Sequence, residues 1–172
     1  NGFAQTKDMP YGIYTVHQVS GWEGRELMSD FDVFISDNGE VYRYLINNAN
    51  FESFIKVIKV DAETGNTIPY AGAAFQIYKP DGTLVTQTFT YPEVTTIDTF
   101  YTNDEGFLVT PETLEYGTGY SLVEVQAPYG YVINTEPVYF DVTQDNSDEE
   151  NGVLIVEVTK SNMPQKGVIE IS

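Results

Sequence analysis

The sequence predicts an all-β fold, a β-sandwich or a β-barrel, and three observations predict it. Tyrosine and phenylalanine are abundant, at 13 and 10 of 172 residues, and flat or branched side chains suit the pleated surface of a strand. Short strand-like runs alternate with turn sequences such as Asp-Asn-Gly at 37–39 and Pro-Asp-Gly at 80–82. No stretch carries a long apolar period of 3.6 residues, as a helical domain would. Short strands with such turns are typical of sandwiches and barrels.

The predicted strands follow one another along the whole chain. They cover residues 11–19, 31–36, 40–46, 54–60, 74–78, 84–89, 119–125, 138–142 and 153–159. Further turn sequences lie at residues 63–66 and 103–106. Residues 111–114 are expected to form a single helical turn.

An internal repeat divides the chain. Residues 2–18 and 106–124 share Gly-Phe, a turn-rich stretch, an apolar residue, Tyr-Gly and Tyr, and then a strand-like run. The further correspondences pair Gly24 with Gly130, 31–33 with 140–142, and 41–48 with 153–162. Since residues 1–50 match only the second half of residues 53–172, the sequence predicts the C-terminal half of one unit before one complete domain. Residues 49–53 would be a short linker.

Charge and composition exclude several functions. Acidic residues number 26 against 8 basic ones, a net charge of -18, which repels phosphate backbones and anionic lipid. We therefore expect no nucleic-acid partner. The chain has no cysteine, so disulfides, thiolate zinc sites and a cysteine nucleophile are excluded. No signal peptide or transmembrane run is visible, and we expect no membrane insertion.

Three polar residues stand at positions that strand alternation assigns to apolar faces. Lys59 lies two residues after Val57 and four after Ile55, so the three side chains share one face of a strand. Two further sites show the same pattern: Glu124 alternates with Tyr120 and Leu122, and Asn162 with Leu154, Val156 and Val158. If those faces point inward, the three polar groups are buried together.

Such a cluster has a specific chemistry. A buried lysine and a buried glutamate each tend towards the neutral form, and a neutral amine is a nucleophile. A protonated carboxyl can hydrogen-bond the amide oxygen of asparagine and polarise its carbon. Attack by the amine then forms a Lys–Asn isopeptide bond and releases ammonia, while the carboxyl only moves protons.

The same residues lie in motifs that carry a family resemblance. The motifs are Lys-Val-Asp-Ala-Glu-Thr-Gly at 59–65, Gly-Ala-Ala-Phe at 72–75, Tyr-Thr-Asn-Asp-Glu-Gly at 101–106, Glu-Val-Gln-Ala-Pro-Tyr-Gly-Tyr at 124–131 and Asn-Met-Pro-Gln-Lys-Gly at 162–167. In order and spacing, residues 53–172 resemble the CnaB-type (SpaA-like) domains of Gram-positive pilins and surface adhesins. The resemblance implies an Ig-like/prealbumin-like β-sandwich in which Lys59 is the nucleophile, Glu124 the catalytic acid and Asn162 the acceptor.

Alternatives exist on sequence grounds. Lys59 is also compatible with an exposed strand position, with Lys56 on the other face of the same strand, and Lys160 shares the parity of Asn162 and is a rival nucleophile. Asn162 is also compatible with a plain turn. In the first unit, Gln18 stands where Glu124 stands in the repeat, and an amide cannot shuttle protons. The acceptor position there falls on Asn47 or Asn48.

Taken together, the sequence predicts a structural stalk or shaft module of a secreted, cell-wall-anchored pilin or adhesin, whose partners are neighbouring domains of the same surface protein. The alternative is an adhesive module for a host matrix protein or glycan, with residues 86–100 as its surface. With His17 as the only histidine, the sequence indicates no turnover enzyme beyond one intramolecular reaction. No cofactor is expected, since the acidic run 145–151 fits a solvated hairpin tip better than a calcium loop.

Overall fold

A computed structural model describes residues 4–39, 41–44 and 49–171. The chain divides into two compact units, residues 1–50 and residues 51–172. In the described residues the regular structure is β throughout apart from one 3₁₀ turn, Gln144–Asn146, so the all-β prediction is confirmed. None of the helical structure in these ranges is long and apolar enough to span a membrane.

The first unit contains two described strands, β1 (Gly12–Val16) and β2 (Phe31–Ile35). They pair antiparallel, with Tyr14 opposite Val33. The strand predicted at 40–46 is not formed over residues 41–44, and its remaining positions 40, 45 and 46 lie outside the described residues.

Eleven strands lie in the described part of the second unit. They are β3 (Glu52–Asp61), β4 (Ala74–Tyr78), β5 (Gln87–Phe89), β6 (Thr95–Ile97), β7 (Phe100–Tyr101), β8 (Phe107–Val109), β9 (Leu114–Glu115), β10 (Gly117–Gln126), β11 (Val138–Val142), β12 (Asp148–Glu150) and β13 (Val153–Asn162). One sheet has the order β12-β13-β3-β8, with β9 also on β3, and the other has the order β11-β10-β4-β7. Strands β5 and β6 form a separate hairpin.

The core lies between the inner faces of these two sheets. Strand alternation buries one side of each long strand, and the fully buried apolar side chains include Ile55 and Val57 of β3, Phe75 and Ile77 of β4, and Leu122 of β10. Strands β3 and β13 run parallel, from Phe54 opposite Ile155 to Asp61 opposite Asn162. This pairing joins the beginning and the end of the domain in one sheet.

Two local predictions in the second unit are wrong. The strand expected at 84–89 is confined to Gln87–Phe89. Residues 111–114 form no helical turn, because the side chain of Gln87 bonds both backbone groups of Glu112: the Glu112 N–H donates to Gln87 Oε1 at 3.1 Å, and Gln87 Nε2 donates to the Glu112 carbonyl at 2.9 Å. With those groups occupied, Leu114 begins a strand instead.

Candidate functional site

Three strands bring Lys59, Glu124 and Asn162 to one place in the core. Lys59 lies near the end of β3, Glu124 near the end of β10 and Asn162 at the end of β13. Their exposed fractions are 0%, 1% and 1%. The alternation that the sequence predicts for each strand therefore turns all three polar side chains inward.

The Glu124 carboxyl bridges the other two groups. Its Oε1 lies 3.1 Å from Lys59 Nζ, within ion-pair distance, although the angles fall outside those of a hydrogen bond. Its Oε2 accepts a hydrogen bond from Asn162 Nδ2 at 2.6 Å. One carboxyl thus touches both an amine and an amide nitrogen, in a place closed to water.

The loop between β10 and β11, residues 127–137, completes the site. The Val132 carbonyl accepts a bond from Asn162 Nδ2 at 2.7 Å, and the Asn134 N–H donates to Glu124 Oε2 at 2.8 Å. The Tyr131 hydroxyl donates to Asp61 Oδ2 at 2.9 Å, which fixes the loop to the end of β3. Sequence reasoning missed these backbone contributions, for which only the position of the loop directly after the Glu124 motif gives a signal.

The amide of Asn162 faces the carboxyl with its nitrogen, whereas the sequence led us to expect its oxygen there. The reason is the Val132 carbonyl: an acceptor at 2.7 Å requires a donor, and Nδ2 supplies it. Asn162 Oδ1 is left buried without a hydrogen-bond donor among the described residues. A buried acceptor without a partner costs free energy, and such groups in native proteins are frequently functional.

Lys59 is fully buried, and burial works against its charged form. Nζ donates to the carbonyl of Lys160 at 3.0 Å and lies 5.7 Å from the ring centre of Phe75. Burial lowers the pKa of Lys59, and the nearby Glu124 carboxyl opposes that shift. An amine held in this way is closer to its nucleophilic state than one in water.

The rival lysines engage other groups. Lys56 points to the opposite face of β3, where Nζ pairs with Glu150 at 3.1 Å and lies 5.6 Å from the ring centre of Phe107. Lys160 is buried, but its Nζ donates to the backbone carbonyl of Glu136. Of the three lysines, Lys59 alone has its Nζ within ion-pair distance of the carboxyl that bonds Asn162.

In the first unit, Gln18 is held in a way that parallels Glu124. Its Oε1 accepts the N–H of Met28, ten residues later, at 2.9 Å, just as Glu124 accepts the N–H of Asn134, ten residues later. The proposed acceptor positions Asn47 and Asn48 lie outside the described residues. His17 follows β1 and pairs with Asp30 at 2.7 Å on the surface.

The acidic run 145–151 joins β11 to β13 through the 3₁₀ turn and the short strand β12, with most of its residues exposed. Across the parts of the chain that the structure describes, no group of three or more His, Asp or Glu side chains could hold a metal ion. Strand β12 pairs antiparallel with β13, with Asp148 opposite Ile155, so the end of the run forms an exposed hairpin.

Comparison with known proteins gives one family and several structural relatives. Residues 53–153 match the family model of SpaA, described as a prealbumin-like fold domain. The Bacillus anthracis TIE protein is similar, at 27% identity and a TM-score of 0.53, over 91% of this chain and 26% of that one. The full-length major pilin SpaD from Corynebacterium diphtheriae has a similar fold, with a TM-score of 0.50 and 20% identity, over 67% of this chain and 31% of that one.

The chain thus spans about a quarter to a third of the length of these two solved proteins. No curated protein matches it.

Proposed function

Because the chain belongs to the SpaA family of prealbumin-like fold domains, we propose that it is a structural stalk or shaft module of a cell-wall-anchored pilin or adhesin. We propose further that its second unit is closed by an isopeptide bond between Lys59 and Asn162, formed with the help of Glu124. The observation that carries this proposal is the single buried carboxyl in contact with both Lys59 Nζ and Asn162 Nδ2.

The reaction follows from those contacts. Uncharged Lys59 Nζ attacks Asn162 Cγ, and the Glu124 carboxylate takes a proton from Nζ through Oε1. The carboxyl returns a proton to Nδ2 through Oε2, the Cγ–Nδ2 bond breaks, and ammonia leaves. The Nζ–Cγ amide remains, and Glu124 ends in its starting form. Each group reacts once, so the domain is not a turnover enzyme.

The isopeptide bond would carry mechanical load between two strands. Strands β3 and β13 are parallel neighbours, so a load that enters at the start of the domain and leaves after Asn162 would pass directly between them. A covalent link at residues 59 and 162 shields everything between from that load. Resistance to force is set by the rate of unfolding under load. A covalent bond between the two loaded strands lowers that rate more than it raises equilibrium stability.

We also propose that residues 1–50 are the C-terminal half of a preceding unit of the same kind, before the complete domain 53–172. Two observations support it. Strands β1 and β2 pair antiparallel, as β10 and β11 do. The hydrogen bond from Met28 to Gln18 also repeats the one from Asn134 to Glu124. Gln18 cannot shuttle protons, so we infer that this unit forms no such bond through that position.

Intact mass tests the proposed chemistry. Folded wild-type chain should be lighter than its sequence mass by one ammonia, because the amide nitrogen of Asn162 leaves. The variants Lys59→Met, Glu124→Gln and Asn162→Ala should each have the full sequence mass, since each removes one participant. Electrospray mass spectrometry under denaturing conditions provides the readout.

The matched control is Lys56→Met, which removes a lysine of the same strand from its outer face, and this variant should still lose one ammonia. Full sequence mass in the folded wild type, or ammonia loss that persists in Glu124→Gln, would contradict the proposal.

The second candidate function is adhesion to a host matrix protein or glycan through residues 86–100. The hairpin β5–β6 supports it, because its tip exposes Tyr91 at 88% and Val94 at 76%. The chain should then bind a matrix-protein or glycan array, and Tyr91→Ser with Val94→Ser should abolish the binding without changing the melting temperature. Equal binding by wild type and variant would show that this hairpin is not the ligand-binding surface.

A further inference from the structure

A second buried lysine stands beside the site. Lys160 is 2% exposed and lies directly opposite Lys59 in the parallel pairing of β3 with β13, so both side chains enter the core from neighbouring strands. Asn162 follows two residues later on the same face of β13. The reaction described above does not use this lysine.

The contacts of Lys160 reach the loop that shapes the site. Its Nζ donates to the carbonyl of Glu136, at the end of loop 127–137, which also supplies the Val132 carbonyl and the Asn134 N–H. The charged groups that interact electrostatically with Lys160 are Lys59 on β3, Glu124 on β10 and Glu136 on the loop. The Asp61 carboxyl is directed to Tyr131 and to the N–H groups of Glu63 and Thr64 instead.

Charge balance then decides which lysine carries the proton. A closed core tolerates net charge poorly, so the two amines and one carboxyl favour arrangements whose charges cancel. With Lys59 and Glu124 alone, two arrangements have no net charge. Protonated Lys59 beside a carboxylate has no nucleophile, and an uncharged amine beside a protonated carboxyl has no base to take the proton from Nζ. With Lys160 present, its ammonium can neutralise the carboxylate while Lys59 stays uncharged. This arrangement holds a free amine and a basic carboxylate together, as attack on Asn162 requires.

We propose that Lys160 is a positioning residue for the crosslinking reaction, supplying a positive charge beside Lys59 and Glu124 that lets Lys59 lose its proton. The inference rests on the proposed isopeptide function. Burial lowers the pKa of both lysines, Glu124 opposes the shift at each, and Lys160 further lowers the pKa of Lys59.

The pH dependence of crosslinking separates this role from a purely structural one. Chain from short cell-free synthesis is captured in denaturant, diluted into buffers over a pH series, and followed by intact mass as ammonia is lost. The Lys160→Gln variant keeps a donor for the Glu136 carbonyl but has no charge. Its rate midpoint should move to higher pH by about one unit or more, because protonated Lys59 must then balance Glu124 by itself. Lys160→Arg keeps the charge and should hold the wild-type midpoint.

Two further variants keep the test decisive. Lys160→Met is a second neutral replacement, for use if Lys160→Gln does not fold, and should show the same upward shift. Lys56→Gln removes an outer-face lysine and should leave the profile unchanged. Uniform slowing of the neutral variants with an unmoved midpoint, or an equal shift in Lys160→Arg, would overturn the inference while the crosslink itself stands. Absence of ammonia loss from wild type at every pH would instead overturn the proposed function.

Discussion

The double variant Lys59→Met with Glu124→Gln should unfold with a free energy about 4.7 kcal/mol lower than that of the wild type, by analogy with a disulfide that closes a loop of about 100 residues. The reason is the unfolded state: a bond between residues 59 and 162 removes much of its chain entropy. A shift in melting temperature on the order of 15 °C follows for a domain of this size.

The double variant separates the stability contributed by the isopeptide bond from that contributed by the ion pair. A single Glu124→Gln change leaves Lys59 buried without its carboxyl, which is costly in itself. The double variant removes both charges of that pair, and the amide oxygen of the introduced glutamine can still accept the N–H of Asn134, as Glu124 does. Calorimetry or denaturant unfolding gives the difference, with Lys56→Met as the control that should keep wild-type stability. A double variant as stable as the wild type would mean that no isopeptide bond contributes to the free energy of unfolding.

The same pair of proteins should differ more under force. When the wild type is pulled from its ends, the chain between residues 59 and 162 cannot extend. The double variant should therefore release about 350 Å of additional length, the reach of roughly 100 extended residues. Single-molecule pulling measures this directly, and equal contour lengths would contradict an isopeptide bond.

Gly106→Ala should destabilise the second unit by at least about 3 kcal/mol, the second largest effect that we expect. Gly106 has φ of +83°, and a Cβ there would lie 1.9 Å from the carbonyl oxygen of Ile68, a backbone atom that cannot move aside alone. The segments that carry Gly106 and Ile68 are both hydrogen-bonded to the backbone of Lys59. The Lys59 N–H donates to the Gly106 carbonyl, and the Ile68 N–H donates to the Lys59 carbonyl, each at 2.9 Å. The added methyl would force one of them off the strand that carries the nucleophile.

Gly82→Ala is the matched control. Gly82 has nearly the same φ, +85°, but a Cβ there meets no atom within 4 Å. It should cost only the left-handed backbone penalty, about 1–2 kcal/mol. Urea unfolding of both variants measures the contrast, and equal losses would show that the clash at Ile68 is relieved without cost.

Much of the candidate site follows from the period of two along a strand. Alternation placed Lys59 on the face of Ile55 and Val57, and the same reasoning applied to Glu124 and Asn162. For Lys59 the alternation alone left an exposed position open, because Ile58 and Val60 make the opposite face apolar too, and the family resemblance favoured the buried position.

Other features depend on contacts between distant segments. The short strands β6, β7, β8, β9 and β12 have only two or three residues each, and pairing with neighbouring strands rather than their own composition defines them. The parallel register that places Lys160 opposite Lys59 is likewise set by the tertiary structure and not by local sequence. The orientation of the Asn162 amide could not be predicted either, since it is set by the Val132 carbonyl of an irregular loop.

The bond itself is tested most directly by tandem mass spectrometry of a protease digest of the folded wild-type chain. We predict a branched peptide in which the segment around Lys59 is joined to the segment around Asn162, lighter by one ammonia than the two linear peptides together. Fragment ions should assign the junction to Lys59 Nζ and Asn162 Cγ. Recovery of linear peptides only, with cleavage at an unmodified Lys59 and an intact Asn162, would contradict the account.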